Sequence, residues 1–221
     1  MAQVFSPGSN TLAKSGIVAV LLGIPTLGGA LYAMNMTYGT QVYVPLDQPV
    51  QFSHKHHVGD DGIDCRYCHT SVDKSAYAGI PQTDTCMSCH SQLWSDAPML
   101  QVVQESKRQG KPIVWNRVHD LPDYTYFNHS IHVNKGVPCQ TCHGQIDNMP
   151  QTYKVRTLAM DWCVDCHKNP GSQLRPKDKV YSMQWKPPKD AAARQALQAQ
   201  LIKEYNIRSP HQLTDCSVCH R

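Results

Sequence analysis

Apolar residues concentrate in one place near the start of the chain. Positions 16–34 (GIVAVLLGIPTLGGALYAM) carry no charge, and at 1.5 Å per helical residue they span roughly 28 Å, about a bilayer core. The pattern predicts a transmembrane anchor over 16–36. A cleaved signal peptide is the alternative, but its apolar region is only about 7–15 residues long. Pro25 lies mid-segment and lacks a backbone donor, so a kink is expected there. Beyond this run, apolar residues recur at helical spacing over 190–205, where Ala193, Leu197, Leu201 and Tyr205 form one stripe behind the capping residue Asp190. A second helix is expected over 97–109, closed by Gly110. Regular structure should otherwise be sparse. Fifteen prolines and thirteen glycines suit a chain that runs in loops, and Pro187-Pro188 reads as a linker.

That pattern leaves little apolar side chain to bury. Only 41% of the 221 residues are hydrophobic, and Phe occurs three times. The missing interior is supplied by the chemistry of the cysteines. All ten fall into five Cys-x-x-Cys-His motifs: Cys65/Cys68/His69, Cys86/Cys89/His90, Cys139/Cys142/His143, Cys163/Cys166/His167 and Cys216/Cys219/His220. This spacing is the covalent attachment site of haem c. Two thiols add to the vinyl groups of one porphyrin, and the adjacent histidine becomes the proximal ligand of its iron. A zinc site or redox dithiol gives no reason for His to follow the second Cys every time, and a disulfide framework predicts variable spacing. Five covalently bound haem c groups are therefore expected. Their ten propionates more than cancel the formal charge of +4, so the basic composition does not indicate nucleic acid.

The motifs belong to a repeat. Phe52-Ser-His54-Lys-His56-His57 precedes Cys65, and Phe127-Asn-His129-Ser-Ile-His132 precedes Cys139. Both read Phe-x-His-x-x-His followed by two haem motifs, giving units over about 52–90 and 127–167. The fifth motif, 216–220, resembles the opening of a truncated third unit. A low-spin haem needs a second axial ligand. Histidines at i and i+3 lie on neighbouring faces of a helical turn and can reach different irons. His54, His57, His129 and His132 are thus expected as distal ligands. For the fifth, His119 is the first choice, with Met149, Met160 and His211 as alternatives. His56 should point away from the irons.

Charge and chemistry orient the chain. Lys14 precedes the apolar run, and no Lys or Arg follows until Lys55, which places the N-terminus inside. Haem is attached to such motifs outside the cytoplasmic membrane. Residues 1–15 are then cytoplasmic and 37–221 form a periplasmic pentahaem domain. The fold class expected is a multihaem cytochrome c, with short helices wrapped round five haems plus one N-terminal transmembrane helix.

Several stretches carry a resemblance. Phe52-Ser-His-Lys-His-His, Gly62-Ile-Asp-Cys-Arg-Tyr-Cys-His69, Trp115-Asn-Arg-Val-His-Asp-Leu-Pro-Asp123, Phe127-Asn-His-Ser-Ile-His132 and Asp215-Cys-Ser-Val-Cys-His-Arg221 are similar to the pentahaem cytochrome c subunit of alternative complex III. The likeness covers most of the chain. The repeat unit more broadly resembles the cytochrome c3/c7 group. The resemblance implies a complex that oxidises membrane quinol. Its partners are a quinol-binding membrane subunit, an iron–sulfur subunit and a monohaem cytochrome, and electrons leave towards a periplasmic carrier or terminal oxidase. Six-coordinate haems leave no open iron for a substrate, so the chain is expected to be a conductor rather than an enzyme. Two other readings stand beside this one: a stand-alone quinol dehydrogenase like the NapC/NirT cytochromes, and a multihaem reductase with one open haem.

Overall fold

A computed structural model describes residues 5–220. Residues 1–4 of the expected cytoplasmic segment, and Arg221, lie outside the described residues. The chain divides into two compact units, Met1–Val42 and Tyr43–Arg221, where the apolar run suggested a boundary at 36/37.

The first unit is one helix, α1 (Pro7–Ala33), running into a π-helical turn, Met34–Gly39. It starts nine residues before the apolar run. Extended Ser6 precedes it, and proline at the first position has no N–H to leave unpaired. The portion from Gly8 to Ala33 is long and apolar enough to cross a membrane. Its 26 residues reach about 39 Å, so the turns around Lys14 extend past an apolar layer of about 30 Å. Its large apolar side chains are exposed, among them Leu21, Leu22 and Leu27. The helix is continuous through Pro25, and the Thr26 hydroxyl donates to the carbonyls of Leu22 and Gly23 at 2.7 and 3.0 Å.

The second unit is built of short helices, and among the described residues it has no β-strand. In chain order they are α2 (Cys65–Cys68), α3 (Thr83–His90), α4 (Gln101–Gln109), α5 (His129–Asn134), α6 (Cys139–His143), α7 (Met160–Lys168), α8 (Ala191–Glu204), α9 (Pro210–Leu213) and α10 (Cys216–Cys219). The two helices expected from periodicity are α4 and α8. Gly110 closes α4 in the left-handed region (φ 64°), and the Asp190 carboxylate accepts from the Ala193 amide at 2.7 Å at the start of α8. Leu201 and Tyr205 of the α8 stripe are buried and Leu197 packs beside them, but Ala193 is exposed. The first turn of α8 thus lies off the body, because a methyl group offers little area to hold it down.

Burial is divided among four small clusters rather than one core. They are Val50/Leu100/Val103, Val72/Val133/Val180, Ile146/Met149/Met183 and Leu174/Leu201/Tyr205. Cys86 packs against the first and Cys139 against the third. Three side chains apiece is too little to order a unit of this length alone, which agrees with an interior completed by porphyrin.

Candidate haem-binding sites

Every Cys-x-x-Cys-His motif lies on a helix. One helical turn sets the two cysteines on the same face, with the histidine one position on. The first and fifth motifs are built alike. Asp64 and Asp215 cap α2 and α10, accepting from the amides of Arg66 and Ser217 at 2.8 and 2.9 Å. The His69 and His220 amides then donate to Cys65 and Cys216, each at 2.9 Å. The second and fourth motifs end the longer helices α3 and α7. The third follows Pro138 and stops at Gly144, whose φ of 72° and crowding by Val155 exclude a side chain.

None of the ten cysteines is joined in a disulfide. Burial raises the thiols of Cys68, Cys86, Cys163 and Cys166, and pushes Cys142 up to about 12. Cys65 is shifted the other way, lowered by a hydrogen bond with Cys139.

The two Phe-x-His-x-x-His segments superimpose in their ring geometry. Phe52 stacks on His57 (4.4 Å, 25°) and meets His54 edge-on (4.9 Å, 87°). Phe127 stacks on His132 (4.5 Å, 27°) and meets His129 edge-on (4.7 Å, 88°). Each phenyl ring is a wedge between two imidazoles, stacked on one and edge-on to the other.

Eight of the ten histidines expected to ligate have Nδ1 anchored. The carbonyl partners are Ser53 for His57 (2.9 Å), Gly79 for His69 (2.7 Å), Leu93 for His90 (3.0 Å) and Ala76 for His129 (3.0 Å). Asn128 serves His132 (2.8 Å), Leu213 serves His167 (2.9 Å) and Tyr124 serves His220 (3.0 Å). His54 meets the Thr152 hydroxyl at 3.0 Å. A carbonyl only accepts, so Nδ1 carries the proton and Nε2 keeps its lone pair free for a metal. The ninth, His119, has its Nε2 buried and without a hydrogen-bond partner. The tenth, His143, is held by burial far below the usual imidazole range. Burial likewise lowers His54 and His119 to about 4, and depresses His129 and His132. Burial thus favours the neutral form of these rings, which is the ligating one.

Ring separations suggest which imidazoles face one another. Two metal–nitrogen bonds of about 2 Å put the ring centres of an axial pair about 6 Å apart. His57 and His90 are 6.1 Å apart, His132 and His167 6.2 Å, and His129 and His143 6.4 Å. His54 lies close enough to His69 to be depressed by it. His119 touches His143 at 4.2 Å, too close to share an iron but suited to ligands of neighbouring irons. His220 has its ring against Tyr124 at 5.8 Å, and no contact brings it to His119.

The remaining candidates sit differently. His56 is exposed beside Asp60 and Asp61. Met160 and His211 are exposed, and Met149 is buried in the apolar cluster with Ile146 and Met183. The acceptors of the Nδ1 protons were not anticipated. Ser53 and Asn128 could have been, since each lies four residues before the second histidine of its pair. Leu93 lies three residues after His90 and Gly79 ten after His69, whereas the partners of His129, His167, His220 and His54 come from distant segments.

No protein-family profile matches the chain. The multihaem cytochrome c subunit of the menaquinone reductase of Nitratidesulfovibrio vulgaris (strain Hildenborough) is 32% identical over 149 residues, 58% of this chain and 71% of that relative. This chain belongs to the same multihaem cytochrome c family. The five Cys-x-x-Cys motifs of this cytochrome are accordingly haem-binding motifs, and its cofactors are five haem c groups. The short helices, absence of sheet among the described residues and single N-terminal apolar helix are those of a multihaem cytochrome c.

Proposed function

We propose that this cytochrome is the electron-conducting subunit of a membrane quinone oxidoreductase complex. Bound haem c supplies a one-electron iron couple. The polypeptide would hold five such groups through its own side chains. The ten cysteines anchor them, and His69, His90, His143, His167 and His220 are the proximal ligands. His54, His57, His129 and His132 are distal ligands facing His69, His90, His143 and His167. The observation that carries this reading is the set of carbonyl partners at Nδ1, which leaves Nε2 free on seven of these rings. His119 is the fifth distal ligand, supported by its buried, unpaired Nε2. Met149, Met160 and His211 lack such an environment.

The apolar helix is a single-pass anchor in the cytoplasmic membrane, with residues 1–15 inside and the haem unit on the periplasmic face. The first residues of that unit follow the anchor directly. The partners are a quinone-binding membrane subunit, an iron–sulfur subunit and a monohaem cytochrome. Two histidines on every iron leave no position for a substrate, which supports conduction rather than catalysis. The quinol-oxidising direction follows the resemblance to alternative complex III, with electrons leaving for a periplasmic carrier or terminal oxidase. The relative's name, a menaquinone reductase, favours a second reading in which the same haems pass electrons towards quinone.

Haem reduction by quinol, followed at the c-type α-band, tests the proposal. The detergent-purified chain alone should stay oxidised while the intact complex is reduced. Rapid, inhibitor-sensitive reduction of the isolated chain would make it a quinol dehydrogenase of the NapC/NirT kind. A complex that is not reduced by quinol but passes electrons from a periplasmic donor to quinone would establish the reverse direction.

A further inference from the structure

The two duplicated units hold each other's first distal histidine. In the unit over 127–167, His129 bonds through Nδ1 to the carbonyl of Ala76, in the unit over 52–90. Its backbone amide and that of Ser130 also bond there, to the carbonyls of Ala76 and Ser75, both at 3.1 Å. In return, His54 of the first unit bonds through Nδ1 to Thr152 of the second at 3.0 Å. The same stretch of the second unit grips the turn that follows His54. The Lys55 amide donates to the Met149 carbonyl at 3.0 Å, and a Cβ on Gly59 would collide with the Asp147 carbonyl oxygen.

This exchange is symmetric in topology but not in chemistry. Seven of the eight anchored rings meet a peptide carbonyl, and His54 alone meets a side-chain hydroxyl. With Nε2 on iron, Nδ1–H is the donor in each case. A strong acceptor draws that proton away, makes the imidazole more electron-donating and favours ferric iron. A hydroxyl oxygen is the weaker acceptor. From the proposed role of His54 as a distal ligand, we infer that Thr152 is a positioning residue that sets the potential of the haem served by His54. That haem stands higher than it would with a carbonyl at the same place.

Three substitutions in the full-length chain test this, read by redox titration with optical and EPR detection. Thr152→Val removes the acceptor but keeps the shape. It should raise one midpoint by about 59 mV, a tenfold change in a one-electron equilibrium, while all haems stay low-spin. Thr152→Ser should restore the original midpoint, and Thr152→Asn, which offers a carbonyl oxygen, should lower it. If the Val variant fails to fold, the opposed behaviour of Ser and Asn carries the test. Five unchanged midpoints in these variants would overturn the inference. His54→Ala separates this from the ligand assignment. A new high-spin haem in that variant upholds His54 as a ligand whatever Thr152 does, whereas an unaltered spectrum removes both the assignment and the inference.

Discussion

In the first duplicated unit His57 sits on a π-helical turn, Lys55–Asp60, and in the second His132 sits within the α-helix His129–Asn134. The backbones differ, yet Phe52 and Phe127 stack on the second histidine at 25° and 27°, and the Nδ1 bond reaches the carbonyl four residues back in both. What the repeat preserves is the placement of rings around a phenyl wedge, not a helix type. A π turn adds a residue per turn of chain, and Gly59 allows the close approach of Asp147 behind it. The second unit needs no such contact. Its helix ends at Lys135, and Gly136 turns the chain at φ 83° against the Tyr205 ring.

Substitutions at matched positions of the motifs and of the two units separate what they share from what they do not. The largest effect should come from the covalent links. Replacing Cys86 and Cys89, or Cys163 and Cys166, by Ala should lower the haem content from five to four per chain, read by intact mass. Equal losses would mark the two motifs as equivalent. Next come the second histidines. His57→Ala and His132→Ala should each convert one low-spin haem to high-spin, seen by EPR, leaving the other haems unchanged. A smaller effect is expected for the wedges. Phe52→Ala and Phe127→Ala remove half-buried rings, so each should cost about 2 kcal/mol, somewhat less than a fully buried Phe, measured by thermal unfolding. A much larger loss at Phe52 would mean that the π turn depends on its wedge more than the α-helix does. The smallest effect, about 1 kcal/mol, is expected for Asp64→Ala and Asp215→Ala, which remove equivalent caps from the first and fifth motifs.

The Cys-x-x-Cys-His motifs, the paired histidines and the helices α4 and α8 were legible in the sequence because each is a local pattern, closed within one or two turns of chain. Ala193 shares the spacing of the α8 stripe but is exposed, since spacing alone says nothing about how much area a methyl group contributes. The apolar run marked the membrane-crossing candidate, but not a helix that begins at Pro7, because backbone hydrogen bonding continues through polar residues until something stops it. The partners of Nδ1 were mostly illegible. Gly79, Ala76, Leu213 and Tyr124 contribute main-chain carbonyls, which every residue has. Thr152 is 98 positions from His54, and no periodicity links them. The likeness to alternative complex III led to the multihaem cytochrome c family, and the relative that matches by sequence is a menaquinone reductase subunit.

If every iron bound by this chain has two protein ligands and serves only to carry electrons, quantitative EPR of the fully oxidised, full-length protein will show five low-spin ferric haems per chain and no high-spin signal. A stoichiometric high-spin haem, sharpened or shifted by added small ligands, would contradict it and indicate a reductase with one open iron.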